Sequence, residues 1–374
     1  MIFASDKYLR LQLSLSARFS CLDFKWNEAT KKVVKLRKNS NLQFKVKLSK
    51  VINLAYVILQ LVTILGNDST TPEKLEALLF FSMYAIVVAL RFGYVGITPG
   101  QMLNSLDLLE QKYGKIYGSN MLPNRKEFLI ALLQPVCYLS CHVIPVTLIV
   151  LLYNRPYQPP FLGSILHRNH GYVARFAILF LEFVTFTQVV LSGSFYILYV
   201  VFAGICSILK YSGAVFSSRP ACRKEANILA YRTLHVATSH VNDCIRHTLL
   251  PVCIIGPPIL QMLGSFACIK LRTEIDWPLF AVFPVIVLIS FILTVMPLLA
   301  AGRIYVTSWR FMNQWRSNYF GRESRYFRRV GKSMKPLRIH FGKNFVDACT
   351  PLVVQDFCMR QIAGLLMYYN SYEM

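Results

Sequence analysis

The chain has 374 residues, of which 55% are hydrophobic, and a formal net charge of +23. A mean hydropathy of +0.43 and several long uncharged apolar runs exclude an ordinary soluble protein and indicate a polytopic helical membrane protein. So positive a charge suggests nucleic-acid binding in a soluble domain, but here the Lys and Arg residues lie mostly between the apolar runs. We therefore expect no nucleic-acid partner.

The sequence contains no motif for catalysis or metal binding. GxSxG, HExxH, Walker A and a GxGxxG between a strand and a helix are all absent, so an enzyme is not expected. The ten cysteines form no CxxC pair and lie mostly in apolar segments, which argues against a disulfide framework or a zinc site. We expect no cofactor and no metal.

Seven apolar segments follow a basic start, which predicts an all-α protein with seven transmembrane helices. Residues 1–47 form a basic cytoplasmic N-terminal segment, 48–301 hold helices one to six, 302–344 form a second basic cytoplasmic segment, and 345–374 hold the last helix and a short external tail. The fourth segment, about 173–209, exceeds the roughly 20 residues of one crossing and should project beyond the membrane. The others lie near 48–66, 75–97, 128–153, 247–269, 278–301 and 345–369.

The distribution of Lys and Arg predicts the topology. Thirty-three of them lie in segments on one side of the membrane, and five lie in the loops of the other side. The positive-inside rule then places the N-terminus in the cytoplasm and the C-terminus outside. Asn67, which begins an Asn-Asp-Ser acceptor pattern for N-glycosylation, falls in an external loop, as glycosylation would require.

The last segment carries polar side chains on two faces. At about 100° per residue, one stripe holds Asp347 together with Thr350, Val354, Gln361, Leu365 and Tyr368. Asp356 and Arg360 lie on the other side, four residues apart, which is the spacing of a helix ion pair. The stripe could line water while the pair docks the helix to its neighbours, or the whole helix could be buried in a bundle without a pore.

Aromatic side chains are concentrated in the external halves of several segments, where an apolar cavity with a few polar groups would suit a small organic ligand. Ordinary helix packing is the alternative explanation. Glu182, an acid within the fourth segment, is a candidate ion-pair partner for Arg175 or Arg91. The candidate pocket residues are Phe80, Tyr84, His142, Thr147, Phe180, Phe183, Thr187 and Phe283.

The C-terminal third resembles the insect odorant and gustatory chemoreceptor superfamily. The likeness rests on a basic run, then residues 335–339 (KPLRI), Phe341-Gly342, Phe345 and a last membrane helix that ends near the C-terminus. The layout of the whole chain is similar as well. Gustatory members often end in a Thr-Tyr, five-residue spacer, Gln-Phe pattern, whereas this chain has Arg360-Gln361 and Met367-Tyr368 at those places. The branch therefore stays open.

This resemblance implies a tetrameric, ligand-gated, non-selective cation channel in the plasma membrane of a sensory neuron. Its partners would be a small odorant or tastant, identical or co-receptor subunits, and membrane lipids. The last helices would line the pore, with a constriction at Leu365 and Tyr368 above a polar ring of Gln361, and the basic cytoplasmic stretches would form an anchor domain. Asp356 and Arg360 would hold the helix to its own bundle.

Two other classes of membrane protein have many helices. A G-protein-coupled receptor needs its N-terminus outside, against the strong bias of Lys and Arg. A transporter usually contains internal repeats, and none is visible in this sequence.

Overall fold

A computed structural model describes residues 6–37, 40–66, 70–93, 98–117, 125–165, 171–217, 224–272, 280–319 and 325–373. Within these ranges the chain is mostly helical, with two short antiparallel hairpins. The helices are α1 (Asp6–Arg18), α2 (Asn41–Gly66), α3 (Thr71–Phe92), α4 (Pro99–Tyr117), α5 (Arg125–Asn154), α6 (Tyr172–Ser194), α7 (Ala203–Ser217), α8 (Lys224–Ile245), α9 (Leu249–Lys270), α10 (Val282–Tyr319), α11 (Arg325–Ser333) and α12 (Thr350–Glu373).

Six stretches of helix in the described part of the chain are long and apolar enough to cross a membrane. They lie in α2, α3, α5, the continuous α6–α7 region, α9 and α10, and they correspond to the first six predicted segments. The polytopic helical class is therefore confirmed. α12 is not among the six, because residues such as Gln355, Asp356 and Arg360 lower its apolar character, so the seventh crossing and the orientation of the termini stay predictions.

The longest apolar stretch lies at the centre of the fold. α6 continues through a π-helical stretch, Phe195–Phe202, into α7, and the apolar window within Tyr172–Phe216 is 78% buried. Its 45 residues confirm the predicted length, and the projection beyond one bilayer crossing stays a prediction. Its length lets the same element contribute to the core at both ends of the bundle.

The N-terminal segment folds against this central element. After α1, strands β1 (Phe24–Asn27) and β2 (Lys32–Lys35) form a hairpin in which Phe24 is paired with Lys35. The side chain of Gln12 donates to the Leu191 carbonyl and to the Ser194 hydroxyl, at 3.3 and 2.6 Å. These contacts attach the N-terminal segment to the bundle through specific hydrogen bonds.

A second hairpin connects the basic stretch before the last helix to that helix. Strands β3 (His340–Phe341) and β4 (Asn344–Phe345) are antiparallel, and Gly342 begins their two-residue turn with a φ of +55°, which favours glycine. Upstream, the Tyr231 hydroxyl donates to the Lys335 carbonyl at 2.5 Å. The stretch that precedes α12 is thereby held against α8.

α12 begins at Thr350 and not at residue 345. Asp347 was expected within the helical stripe, but it lies before the helix and caps it: its Oδ1 accepts from the Thr350 N–H at 2.7 Å and from the Cys349 N–H at 3.0 Å. A Cβ at Gly302 of α10 would lie 2.6 Å from the Asp347 carbonyl oxygen. Glycine at that position therefore allows α10 to approach the start of α12 closely.

Candidate functional site

A buried carboxyl group lies where three elements of the bundle meet. Glu182 of α6 is fully buried; its Oε2 accepts from the Tyr56 hydroxyl at 2.5 Å and its Oε1 from the Leu162 N–H at 2.7 Å. Tyr56 belongs to α2, and Leu162 belongs to a 3-10 turn after α5. One side chain thus joins α2, α6 and the α5–α6 connection.

Aromatic rings surround this carboxyl group. The rings of Tyr56 and Tyr84 have centroids 5.2 Å apart, and those of Tyr84 and Phe186 are 5.5 Å apart. Phe80 meets Phe161 edge to face at 5.1 Å. We call Tyr56, Phe80, Tyr84, Phe161, Glu182 and Phe186 the Glu182 cluster. The rings belong to one buried hydrophobic cluster, and aromatic side chains with a few polar groups are also the composition of ligand pockets.

Some buried polar atoms near the Glu182 cluster lack a well-formed hydrogen bond within the described residues. They include the amide atoms of Gln60 and Gln158 and the hydroxyl of Tyr84. Buried polar groups are normally paired with protein or water. The Gln60 and Tyr84 side chains still interact with Tyr56, so they extend the polar group around Glu182.

The eight candidate pocket residues do not form one group. Phe80 and Tyr84 belong to the Glu182 cluster, whereas Phe283 is buried in a separate cluster with Leu79 and Leu271. Thr187 is buried and Phe183 is half-buried on α6, and the Thr187 hydroxyl donates to the Phe183 carbonyl at 2.6 Å.

The remaining three candidates, His142, Thr147 and Phe180, lie on exposed faces of α5 and α6. The hydroxyl of Thr147 donates to the Val143 carbonyl at 3.0 Å, and Nδ1 of His142 lies 3.0 Å from the Tyr138 carbonyl oxygen. Both polar groups are therefore engaged by the backbone of their own helix.

The ion-pair prediction for Glu182 was wrong. Arg91 donates to the Ser49 hydroxyl at 3.1 Å, and Arg175 donates to the Tyr153 carbonyl at 2.7 Å and lies over the Tyr153 ring. Both arginines are held by neutral acceptors, while a tyrosine and a backbone N–H stabilise Glu182. The presence of an acid in the fourth segment indicated this position, but nothing in the sequence pattern indicated its partners Tyr56 and Leu162.

One face of α12 packs on α9. Cys358 and Ile362 are buried on that face, and the side chains of Gln355 and Gln261 exchange hydrogen bonds of 2.9 and 3.3 Å. The Tyr369 ring meets Phe266 edge to face at 5.6 Å. These contacts attach α12 to its own bundle through this face.

The rest of the α12 surface is exposed in the single chain, and we call its two sides beside the docked face the open flanks. Of the predicted pore residues, Gln361, Leu365 and Tyr368 are exposed, the last two by 42% and 69%, while Thr350 and Val354 are half-buried beside the docked face. Ala363 and Met367 are exposed as well. The helix therefore presents two open flanks, one that carries the predicted stripe and one that does not.

Asp356 and Arg360 lie on the open surface of α12. Oδ2 of Asp356 is 2.9 Å from Nε of Arg360, and the two side chains are 59% and 76% exposed. The pair forms, but within the described part of the chain it does not join α12 to a neighbouring helix. Asn67, the glycosylation candidate, lies outside the described residues.

Comparison with solved structures identifies the architecture. The chain is similar to the insect olfactory receptor OR5 from Machilis hrabei, with a TM-score of 0.55 over 98% of this chain and 99% of that chain, at 9% sequence identity. The structure of the same receptor in complex with eugenol gives a TM-score of 0.57 with the same coverage and identity. No protein-family model and no curated protein sequence matches. Along nearly its whole length, the chain has the fold of an insect olfactory receptor.

Proposed function

We propose that this protein is a chemosensory receptor subunit that forms, as a tetramer, an odorant- or tastant-gated and non-selective cation channel. The observation that carries the proposal is α12, a polar-bearing helix that docks on its bundle by one face and leaves the rest open. Polar groups at membrane depth normally face water or protein. In four copies around a common axis, the open flanks would face the water of the pore and the protein of the neighbouring subunits.

The ligand in this proposal is a small organic molecule bound at the Glu182 cluster. The cluster combines aromatic rings with the buried hydroxyl of Tyr84, and the buried amide of Gln60 lies one helical turn from Tyr56. A structural neighbour is a receptor in complex with eugenol, which supports an odorant as the class of ligand. Phe183 and Thr187, on the same helix as Glu182, remain candidates for the edge of the pocket.

The gate in this proposal lies on the flank of α12 that carries Gln361, Leu365 and Tyr368. A ring of apolar side chains excludes water when it is narrow, so Leu365 and Tyr368 would close the pore. Gln361 would add a ring of dipoles without net charge, which passes cations with little preference among them. Identical copies or a co-receptor would supply the other subunits in the plasma membrane of a sensory neuron.

Whole-cell recording tests the function directly. The chain is expressed alone and with a co-receptor, and currents are measured during application of a broad odorant and tastant panel. Ligand-evoked currents carried by both sodium and potassium are expected from at least one of the two combinations. Surface-labelled protein that never conducts in either combination would contradict the channel.

Cysteine accessibility tests the pore flank. Cysteine at 361, 365 or 368 should react with aqueous thiol reagents in the open channel and reduce the current. Cysteine at 363 or 367, on the other open flank, should not change it. The reverse pattern would move the pore to the flank of Ala363 and Met367.

A further inference from the structure

A cavity separate from the Glu182 cluster lies beside the stretch that precedes the second hairpin. Its volume is about 400 Å³, and it is formed between the end of α8 with the following Arg246 and the extended segment from Lys335 to His340. None of its lining residues belongs to the ligand site or to the pore stripe proposed above. The cavity is thus a separate site in the fold.

The walls of this cavity are fixed by hydrogen bonds between its two sides. Asn242 donates to the Arg338 carbonyl at 2.8 Å and accepts from the His340 N–H at 2.9 Å. Arg246 donates to the Gly342 carbonyl at 2.5 Å, and the Gly342 N–H donates to the Arg246 carbonyl at 2.8 Å. The cavity is therefore preorganised and does not depend on a mobile loop.

The lining is strongly basic. Its basic residues are Arg246, Lys335 and Arg338, against one acidic residue, Asp243, at the exposed rim. The Arg338 guanidinium lies over the Tyr305 and Phe345 rings, at 5.5 and 4.5 Å from their centroids, so Arg246 and Lys335 are the direct candidates for contact with an anion. Burial lowers the pKa of His340 below its ordinary value, and the positive charges of Arg246 and Arg338 lower it further. Burial alone would not favour an anion, but the positive charges that contribute to this shift do.

The position of the cavity places it at a membrane boundary. Arg246 lies just before Leu249, where the apolar helix α9 begins. The cavity is on the side that the Lys and Arg distribution predicts to be cytoplasmic, where membranes expose anionic lipids. Basic pockets beside transmembrane helices on this side are suited to phosphorylated headgroups.

We propose that this cavity binds the phosphate groups of a phosphorylated inositol, either as the headgroup of a membrane lipid or as the free molecule. Guanidinium and ammonium groups supply charge-assisted hydrogen bonds to phosphate oxygens, and the volume suits a single polyol ring with its phosphates. Among the described residues, the lining contains no Phe, Tyr or Trp ring on which a nucleobase would stack. Chemistry and shape therefore favour a phosphorylated polyol over a nucleotide.

Binding to the full-length protein in phosphatidylcholine nanodiscs tests the proposal. The two probes are a short-chain phosphatidylinositol bisphosphate and free inositol trisphosphate, and saturable binding of at least one is expected. Binding of the lipid alone assigns the headgroup as the source, and equal binding of both shows that the free phosphate suffices. Absence of saturable binding by both probes overturns the proposal.

Matched variants of exposed side chains tie the binding to this cavity. Lys335→Gln should raise the dissociation constant about fivefold, the effect of one basic side chain near an anionic surface. Asp243→Asn, which removes the negative charge at the rim, should lower the dissociation constant. Lys332→Gln is the control, since Lys332 is exposed nearby on α11 but does not line the cavity.

Opposite effects at Lys335 and Asp243 cannot come from a general loss of folding. Equal affinities in all three variants, or an equal weakening by Lys332→Gln and Lys335→Gln, would show that binding is non-specific and overturn the proposal.

Discussion

The helices α6 and α12 both carry ionisable side chains, but the two helices satisfy them in different ways. In α6, Glu182 is fully buried and accepts hydrogen bonds from Tyr56 and the Leu162 backbone of the same chain. In α12, Asp356 and Arg360 are exposed and contact each other.

This difference separates side chains that stabilise the single chain from side chains that are left for contacts outside it. The polar chemistry of α6 is completed within one chain, so Glu182 contributes to the stability of the bundle itself. The open flanks of α12 are left for water, lipid or other chains, and lipid is the least favourable of these for Asp356 and Arg360. The same sequence feature, a charge within a long helix, thus has two physical meanings, and only burial distinguishes them.

The largest effect is expected from Glu182→Ala. This change leaves the Tyr56 hydroxyl and the Leu162 N–H buried without an acceptor, and each unpaired group costs roughly 1–3 kcal/mol. We expect a lower unfolding temperature of the detergent-purified chain and reduced surface expression. Glu182→Gln keeps one acceptor oxygen, so its unfolding temperature and surface expression should fall clearly less. Wild-type stability of the alanine variant would show that Glu182 does not hold the bundle together.

The next effect is expected on conduction, at the open flank of α12. Leu365→Ser should allow water into an apolar constriction and give a cation current without ligand, measured in whole-cell recordings. Met367→Ser is the matched control, because Met367 is exposed on the other flank and should leave the resting current unchanged. If only the Met367 variant conducts at rest, the pore lies on its flank.

The sequence predicted the six apolar spans and the long fourth segment, because apolar length is a local property of the chain. It could not predict that Tyr56 would pair with Glu182, since their contact depends on how α2 and α6 pack. It also placed Asp347 inside the last helix, because the apolar pattern continues upstream of Thr350, whereas the hairpin around Gly342 and the cap at Asp347 delay the start of the helix.

A smaller effect is expected at this cap. Asp347→Ala removes the acceptor for the N–H groups of Cys349 and Thr350, and the loss of such a cap typically costs about 1 kcal/mol. Amide hydrogen exchange over the first turn of α12 should become faster, while exchange in α6 stays unchanged. Asp347→Asn retains a capping oxygen and should exchange nearly as the wild type does. Equal exchange in the alanine variant would mean that packing on α10 alone fixes the start of α12.

The smallest effect is expected for Asp356 and Arg360 in the isolated chain. Exposed ion pairs usually contribute about 0–1 kcal/mol, so a double-mutant cycle with Asp356→Asn and Arg360→Gln should give a coupling energy within that range for the detergent-solubilised monomer. The cycle is measured by thermal unfolding, first on the monomer and then on the assembled protein. If other subunits cover this surface, removing one charge in the assembly leaves its partner buried and costs about 3–5 kcal/mol, and the second substitution restores part of that loss. A large coupling already present in the monomer would mean that the pair is buried within one chain, and the contrast between α6 and α12 would then fail.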